Sequence, residues 1–407
     1  MLDELENRGL LFDIANKEAL TPCPFYLGID PTAPSLQIGN LVGLLTTARL
    51  AQAGFEPIIL FGGATGSIGD PSGKSAERKL LDRSEIQSNI EAQKKQVNEI
   101  FSKLNITPKF VDNYDWTHNV SILDFLRDIG KHFTVNYMLA KDSVKNRIEG
   151  DGISFTEFTY MLLQAFDFLF LYKNYGCKLQ VGGSDQWGNM TAGLELIRRK
   201  LSGEASVLCW PLLTDKAGRK FGKSESDAIW LDPKLTSPYK CYQYLLNVAD
   251  DEVIKLLKIF SFKSLNDISA IESEFKAAPE KRTAQKELAE SVTKLVHGEE
   301  KTAEALNATS VLFGGGDLNQ LPETLLKEVF SEVPHSRVSK DERLSASDLF
   351  IKAGVVKSKG EAKRLISAGG AYIQGTRISD PDESVRLDRS VLILRSGKKS
   401  YFLVEVS

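Results

Sequence analysis

A chain of 407 residues is long enough to form several domains, the largest with a sizeable core. Its 51 Lys and Arg stand against 54 Asp and Glu, for a formal charge of −3; this excludes a uniformly basic nucleic-acid coat and leaves room for a local basic face. No uninterrupted apolar segment of membrane-spanning length is present, so a membrane partner is not expected.

Residues 1–20 read as a short amphipathic helix with Leu5, Leu10 and Leu11 on its apolar side. The acidic start is neither a signal peptide nor an arginine-rich transit peptide, so a cytoplasmic location is expected; an organellar matrix stays open if a leader has been removed. Phe25-Tyr26-Leu27-Gly28-Ile29 reads as a strand, Leu36 to Ala53 as a helix, and Pro57 to Phe61 as a second strand entering the glycine-rich loop 62–73. Ser84 to Leu104 is a long polar helix with Ile86, Ile90, Val97 and Ile100 along one side. Phe110-Val111 leads to Asn113-Tyr114-Asp115-Trp116, and residues 117–155 read as an insertion before a helix from Thr156 to Tyr172. Leu179 to Val181 returns as a strand ending at Gly182-Gly183. This rhythm predicts an α/β fold, a Rossmann-like parallel sheet covered by helices, over residues 1–245, with ligands at the carboxyl ends of the strands.

Near residue 245 the composition turns to Ala, Glu, Lys and Leu, which predicts a helical domain over 246–330 with a loop at Val311–Gly316. Pro334-His335-Ser336 reads as a linker to a small C-terminal α+β unit, 331–407 with that linker. Residues 336–407 hold 14 Lys and Arg against 9 Asp and Glu, +5 there against −8 for the rest, which favours a module that meets a polyanion. Cys23, Cys177, Cys209 and Cys241 lack metal-ligand spacing, so no metal site is expected and free thiols in a reducing compartment are.

Two distant runs suit one nucleotide site. The first, Asp30 to Asn40, places glycine at a helix start, where backbone N–H groups can meet phosphate. The second is Lys220-Phe221-Gly222-Lys223-Ser224, whose lysines could face a triphosphate from the other side. Lys74 and Arg78, beside the glycine-rich turn, bring the cations that could surround pyrophosphate to four. That turn ends in Gly73-Lys74-Ser75 but has Ile68 where a P-loop needs glycine, so a P-loop NTPase is the weaker reading. Tyr160, Gln164 and Asp167 share one face of a helix, and Asp167 in the aromatic stretch 165–168 needs a partner if buried.

These motifs resemble tyrosyl-tRNA synthetases of the bacterial and organellar type, members of class I. The resemblance rests on the runs 26–33, 62–74 and 180–189 and on the Lys220 loop, spans nearly the whole chain, and is densest before residue 245. It implies formation of tyrosyl-adenylate from L-tyrosine and ATP with Mg2+, then transfer of tyrosine to tRNA(Tyr), with no permanently bound cofactor. It also implies a homodimer whose interface the insertion and its neighbours supply, a helical domain for the anticodon region, and a tail like a small RNA-binding domain of a ribosomal small-subunit protein.

By the same resemblance Tyr26 and Asp167 hold the substrate hydroxyl, while Tyr160, Gln164 and Asp70 bind its ammonium group. Gln186 holds the carboxylate, Asp185 the ribose, and Asp30 lies on the ATP side. Gly28, Gly39 and Gly183 admit ATP, and Thr32, Lys74, Arg78, Lys220 and Lys223 serve the phosphates. The chain departs from the family at its first signature, which has Gln37-Ile38-Gly39-Asn40 in place of His-Ile-Gly-His. Asn40 can mimic an imidazole donor; Gln37 can donate but cannot carry charge at neutral pH. A slower site, a compensated site and an altered site are the three readings open here. Two other functions compete with the ligase: an RNA-binding or splicing-type protein on a synthetase body, and a small-molecule adenylyltransferase. Cys23 and His118 read as incidental, Trp187 as a packing residue.

Overall fold

A computed structural model describes residues 1–72, 80–150, 152–214, 221–222, 228–314, 316–397 and 400–407. The chain forms two compact units, Met1–Thr302 and Ala303–Ser407.

The first unit is built on a six-stranded sheet of β1 (Asp13–Ala15), β2 (Pro24–Ile29), β3 (Glu56–Phe61), β4 (Lys109–Asp112), β5 (Leu179–Gly183) and β6 (Ser206–Trp210), in the order β1-β6-β5-β2-β3-β4. All neighbours from β6 to β4 are parallel; only β1 is antiparallel, on β6. The chain order therefore reverses between β2 and β5, which makes that crevice the topological switch point of a doubly wound sheet. The helices of this unit, in chain order, begin with α1 (Leu2–Asn7), α2 (Leu41–Gln52) and α3 (Arg83–Lys103). The insertion follows with α4 (Tyr114–Thr117), α5 (Ile122–Asp128), α6 (Val135–Leu139) and α7 (Asp142–Ile148). Then come α8 (Phe155–Tyr175) and α9 (Trp187–Leu201), and a helical group of α10 (Pro238–Leu246), α11 (Val253–Phe260), α12 (Leu265–Ala277) and α13 (Thr283–His297).

Local signals fix the helices that carry the site. Asp82 caps α3 by accepting the Glu85 N–H, and Ser154 caps α8 by accepting that of Glu157. Glu157 is itself buried in a bidentate pair with Arg147 of α7, at 2.8 and 2.9 Å, which ties the insertion to the start of α8. Losing one partner of such a buried pair costs about 3–5 kcal/mol. Phe168 and Leu169 of α8 and Met190, Leu196 and Ile197 of α9 join a core with Tyr26, Ile58 and Leu60 of the sheet.

The unit boundary falls within α14 (Glu299–Gly314). The second unit adds α15 (Glu323–Val329), α16 (Ala346–Lys352) and α17 (Lys359–Ser367), with strands β7 (His335–Val338), β8 (Ala371–Ile373), β9 (Thr376–Arg377), β10 (Val391–Ser396) and β11 (Ser400–Val406). Its sheet runs β7-β11-β10-β8-β9, antiparallel except for β7 beside β11. Its own core gathers Leu349, Phe350, Ile366, Leu392, Leu394 and Val404.

Three local expectations are corrected. The N-terminal helix stops at Asn7 because Gly9 turns the chain at a φ of +72°, and Asp13–Ala15 then pairs with the sheet edge; Leu5 and Leu10 are buried all the same. Helix α14 runs through the predicted loop as far as Gly314. The expected linker at 334–336 instead enters β7, where His335 pairs with Leu403.

Candidate active site

A cleft of about 440 Å³ opens where β2 and β5 end, at the switch point of the sheet. Its walls include Tyr26, Gly28, Asp30, Thr32, Gln37, Gly39 and Asn40 from β2 and the segment after it. Asp70, Tyr160, Gln164 and Asp167, with Gly183 at the end of β5 and Asp185 and Gln186 beyond it, complete it, so fourteen described residues singled out from sequence line one cavity. Lys74, Arg78, Lys220 and Lys223 lie outside the described residues.

At the deep end Asp167 is fully buried. Its Oδ2 accepts from Asn113 Nδ2 and its Oδ1 from Trp116 Nε1, both at 2.9 Å. Burial pushes its carboxyl up to about 7 against the pull of those two donors, with the charges of Asp30 and Asp112 adding to the rise. Tyr26, on β2, packs its ring on Phe168 at 5.5 Å. Its hydroxyl is buried and has no hydrogen-bond partner. Burial, reinforced by the Asp167 charge, holds this phenol well above its usual range, so it stays a neutral donor. A buried hydroxyl without a partner costs about 1–3 kcal/mol, a cost that a ligand group can remove.

One layer up, the carboxylate of Asp30 accepts Tyr160 Oη at 2.7 Å and Thr65 Oγ1 at 2.8 Å. A Cβ on Gly62 would collide with Asp30 Oδ1 and Thr65 Oγ1, so glycine at that position permits this pairing. Burial and the Asp30 and Asp70 charges raise the Tyr160 phenol well above its usual range. Asn113 Nδ2 also reaches Thr65 Oγ1 at 3.0 Å, which joins the Asp167 and Asp30 clusters in one network. Asp70 accepts from Gln186 Nε2 at 2.6 Å, from Ser72 N at 2.9 Å and from Asn189 Nδ2 at 3.4 Å. Asp167, Asp30 and Asp70 thus line one cleft of mixed polar and apolar walls, where their oxygens can accept hydrogen bonds from a bound donor or cation.

Elsewhere on the cleft wall, Gln37 to Asn40 opens into α2. Asn40 Oδ1 accepts the Gln37 N–H at 2.8 Å, which commits the oxygen end of that amide to the backbone. Ile38 N donates to Ile229 O at 2.8 Å, and Gln37 bridges Trp230. A Cβ on Gly28 would meet only one atom within 4 Å, Tyr26 Cε2, so the backbone there is open to a ligand. Trp187 packs against the core, as its sequence suggests. His118 lies outside the cleft, stacked on Tyr114 at 4.7 Å.

Sequence reasoning misses the groups that hold the site: Asn113, Trp116, Thr65 and Asn189. The run 113–116 just past a strand end was the available signal, because a buried carboxylate must find donors nearby.

Comparison with known proteins agrees with this geometry. Residues 18–314 match the family model of class I tRNA synthetases (W and Y), and residues 326–404 match that of the tyrosine–tRNA ligase SYY-like C-terminal domain. The chain is 46% identical over 416 residues to the tyrosine–tRNA ligase of Streptococcus gordonii and 47% identical over 417 to that of Streptococcus agalactiae, covering 99% of both chains in each case. Among solved structures it resembles a C-terminally truncated mitochondrial tyrosyl-tRNA synthetase of Aspergillus nidulans, at 32% identity and a TM-score of 0.69, covering 76% of this chain and 93% of that one. The tyrosyl-tRNA synthetase of Archaeoglobus fulgidus, at 17% identity and a TM-score of 0.55, shares the fold. With both family models matched and close to half of its residues identical to these relatives along their full length, the chain belongs to the tyrosine–tRNA ligase family of class I aminoacyl-tRNA synthetases.

Proposed function

We infer that this chain is a working ATP-dependent tyrosine–tRNA ligase. It activates L-tyrosine with ATP to tyrosyl-adenylate, releases pyrophosphate, and transfers tyrosine to the 3′-terminal adenosine of tRNA(Tyr). The observation that carries this reading is the buried, partnerless hydroxyl of Tyr26 in the same cleft as the buried carboxylate of Asp167. The substrate phenol donates to Asp167 and accepts from Tyr26, filling a gap that phenylalanine would leave.

In this reading Tyr160, Gln164 and Asp70 take the ammonium group and Gln186 holds the carboxylate. Asp185 receives the ribose hydroxyls, and Asp30 holds Tyr160 in place toward the ATP side. Gly28, Gly39 and Gly183 let ATP approach the backbone. Thr32, Gln37, Asn40, Lys74, Arg78, Lys220 and Lys223 act on the phosphates. ATP enters as its Mg2+ complex, the ion belonging to the substrate. The tyrosine carboxylate oxygen attacks the α-phosphorus, the bond to the β-phosphate oxygen breaks, and pyrophosphate leaves; the ribose hydroxyl of the terminal adenosine then displaces AMP from the tyrosyl carbonyl. No side chain forms a covalent bond, so the protein contributes position and oriented charge.

The proposal extends to assembly and place. A homodimer is supported by exposed apolar side chains around the insertion, among them Ile122, Leu123, Leu126, Val135 and Phe155, of which Ile122, Leu123 and Phe155 are about three-quarters exposed. The helices after residue 246 serve the anticodon region, and the basic excess of 336–407 supports contact with tRNA phosphates. A reducing compartment, the cytoplasm or an organellar matrix, is supported by four free cysteines. Pyrophosphate exchange into ATP, run with each amino acid in turn and followed by charging of tRNA(Tyr), tests the activity. Exchange that depends on tyrosine and on no other amino acid is expected. Its absence would leave an RNA-binding protein on a synthetase body.

A further inference from the structure

Phe221 and Gly222 are the described part of the second nucleotide run, and they pack directly on the first. A Cβ on Gly39 would lie 3.3 Å from Phe221 O. Gly222 has a φ of +86°, and a Cβ there would collide with Ile38 Cγ2 and approach Gly39 N at 3.5 Å. The two glycine backbones therefore meet with no room for a side chain between them. Ile229 ties both runs together: it accepts the Ile38 N–H and donates its own to Gly222 O, each at 2.8 Å.

The support for this junction comes from outside the cleft. The N–H of Gly222 donates to Tyr244 Oη of α10 at 3.0 Å. The Tyr244 ring packs on Phe221 at 5.6 Å between centroids, and Phe221 in turn on Phe260 of α11 at 5.5 Å. Neither Tyr244 nor Phe260 lines the cavity. The residue after Phe260 closes a circuit, because Ser261 O accepts from Arg49 near the end of α2 at 2.7 Å, and α2 is the helix that the first signature opens. Arg8 holds the end of α11 in the same place through Lys258 O and Lys263 O at 3.0 and 2.8 Å.

We propose that Tyr244 is a positioning residue for adenylate formation, its hydroxyl holding Phe221–Gly222 against Ile38–Gly39 so that the two halves of the nucleotide site keep one spacing. The proposal rests on the ligase reading above. Ring packing alone would be met by phenylalanine; the hydroxyl is what reaches Gly222. Lys220 and Lys223 are the immediate neighbours of this dipeptide in the chain. Where catalysis is chiefly position and oriented charge, a small misplacement costs rate rather than substrate affinity.

The test is Tyr244→Phe in the full chain, with single-turnover formation of tyrosyl-adenylate and the dissociation constant for tyrosine measured side by side. Wild-type protein with tyrosine-dependent pyrophosphate exchange first establishes the ligase reading; without that exchange it is the reading that fails, and not this inference alone. Given exchange, Tyr244→Phe should slow adenylate formation about tenfold, the weight of one lost hydrogen bond expressed in the transition state, while tyrosine binds as before. A rate within twofold of wild type, or a loss matched by equally weakened tyrosine binding, overturns the proposal. Phe260→Leu, which keeps an apolar side chain but removes the ring behind Phe221, should produce a smaller loss in the same step. It serves as the deciding variant should Tyr244→Phe not fold.

Discussion

Tyr26→Phe separates a cost of folding from a gain in binding. The change removes one oxygen and leaves the ring on Phe168, 5.5 Å away, so packing is retained. In the free protein that oxygen is buried without a partner, a penalty of roughly 1–3 kcal/mol, and the variant should be more stable by about 1 kcal/mol or more. In the complex the same oxygen gives a hydrogen bond to the substrate phenol, worth about 0.5–1.5 kcal/mol. Tyrosine affinity should therefore fall roughly 2- to 12-fold, while phenylalanine, which has no hydroxyl to lose, binds no worse. Denaturant unfolding of the ligand-free protein measures the first effect, and kcat/KM in pyrophosphate exchange with both amino acids measures the second. The two effects have opposite signs, which ordinary damage to a core cannot produce. A variant less stable than wild type, or one with unchanged preference for tyrosine over phenylalanine, would refute the reasoning.

Other expectations follow from the same geometry. Asp167 titrates at about 7 in the fold, above its unfolded range, so between that range and pH 7 the folded protein holds a proton that the unfolded chain releases. Stability contributed by this group is complete below its unfolded range and is lost as pH rises through about 7. Tyrosine recognition needs the carboxylate, so kcat/KM for tyrosine should rise with pH through about 7, and Asn113→Ala, which removes a donor that lowers this pKa, should move the inflection upward; a flat profile from about pH 6 to 8 counts against the assignment. Replacing the exposed Lys357, Lys359 and Lys363 together with Glu should weaken tRNA charging and its salt dependence while tyrosine activation stays intact; equal charging kinetics would remove this surface from the tRNA path. Gln37→His should speed adenylate formation about tenfold or more, since one charge-stabilising contact made in the transition state is worth roughly 1–4 kcal/mol, with tyrosine affinity little changed; a rate that stays flat or falls would show a site already tuned around Gln37.

Much of the site is legible in the sequence because its residues stand where strands end. Glycine pairs just after β3 and at the end of β5 mark close backbone approach, and the spacing of Tyr160, Gln164 and Asp167 sets them along one side of α8. The strand β6 escapes such reading: Ser206–Trp210 is a short run buried on both faces, without the alternation that distinguishes a strand from a helix turn. The edge strand β1 escapes because three residues carry no period at all; it exists through pairing with β6. Asn113 and Trp116 are read as a strand exit, and only the fold brings them onto Asp167, 54 and 51 residues away. Supporting residues of this kind belong to distant segments, and no local pattern announces them.

The departure at the first signature illustrates how scaffold and chemistry separate. The backbone of Gln37 to Asn40 is held by groups other than the two outer side chains' ring chemistry: Ile38 N on Ile229 O, Gln37 paired with Trp230, and Ile38 buried beneath Gly222. Asn40 even contributes to that frame through its own Oδ1, which fixes the amide and leaves Nδ2 as its donor end. Replacing imidazoles by amides here therefore leaves the glycine turn and the helix start of α2 in place, with the backbone N–H groups that the proposed ATP site would use. In the proposed mechanism, what changes is the charge that position 37 can bring to the phosphates, since an amide donates but cannot be protonated near neutral pH. A deficit of that kind falls on the chemical step and spares ground-state binding. The rate response of Gln37→His is then a direct measure of how much charge stabilisation the remaining cations already supply.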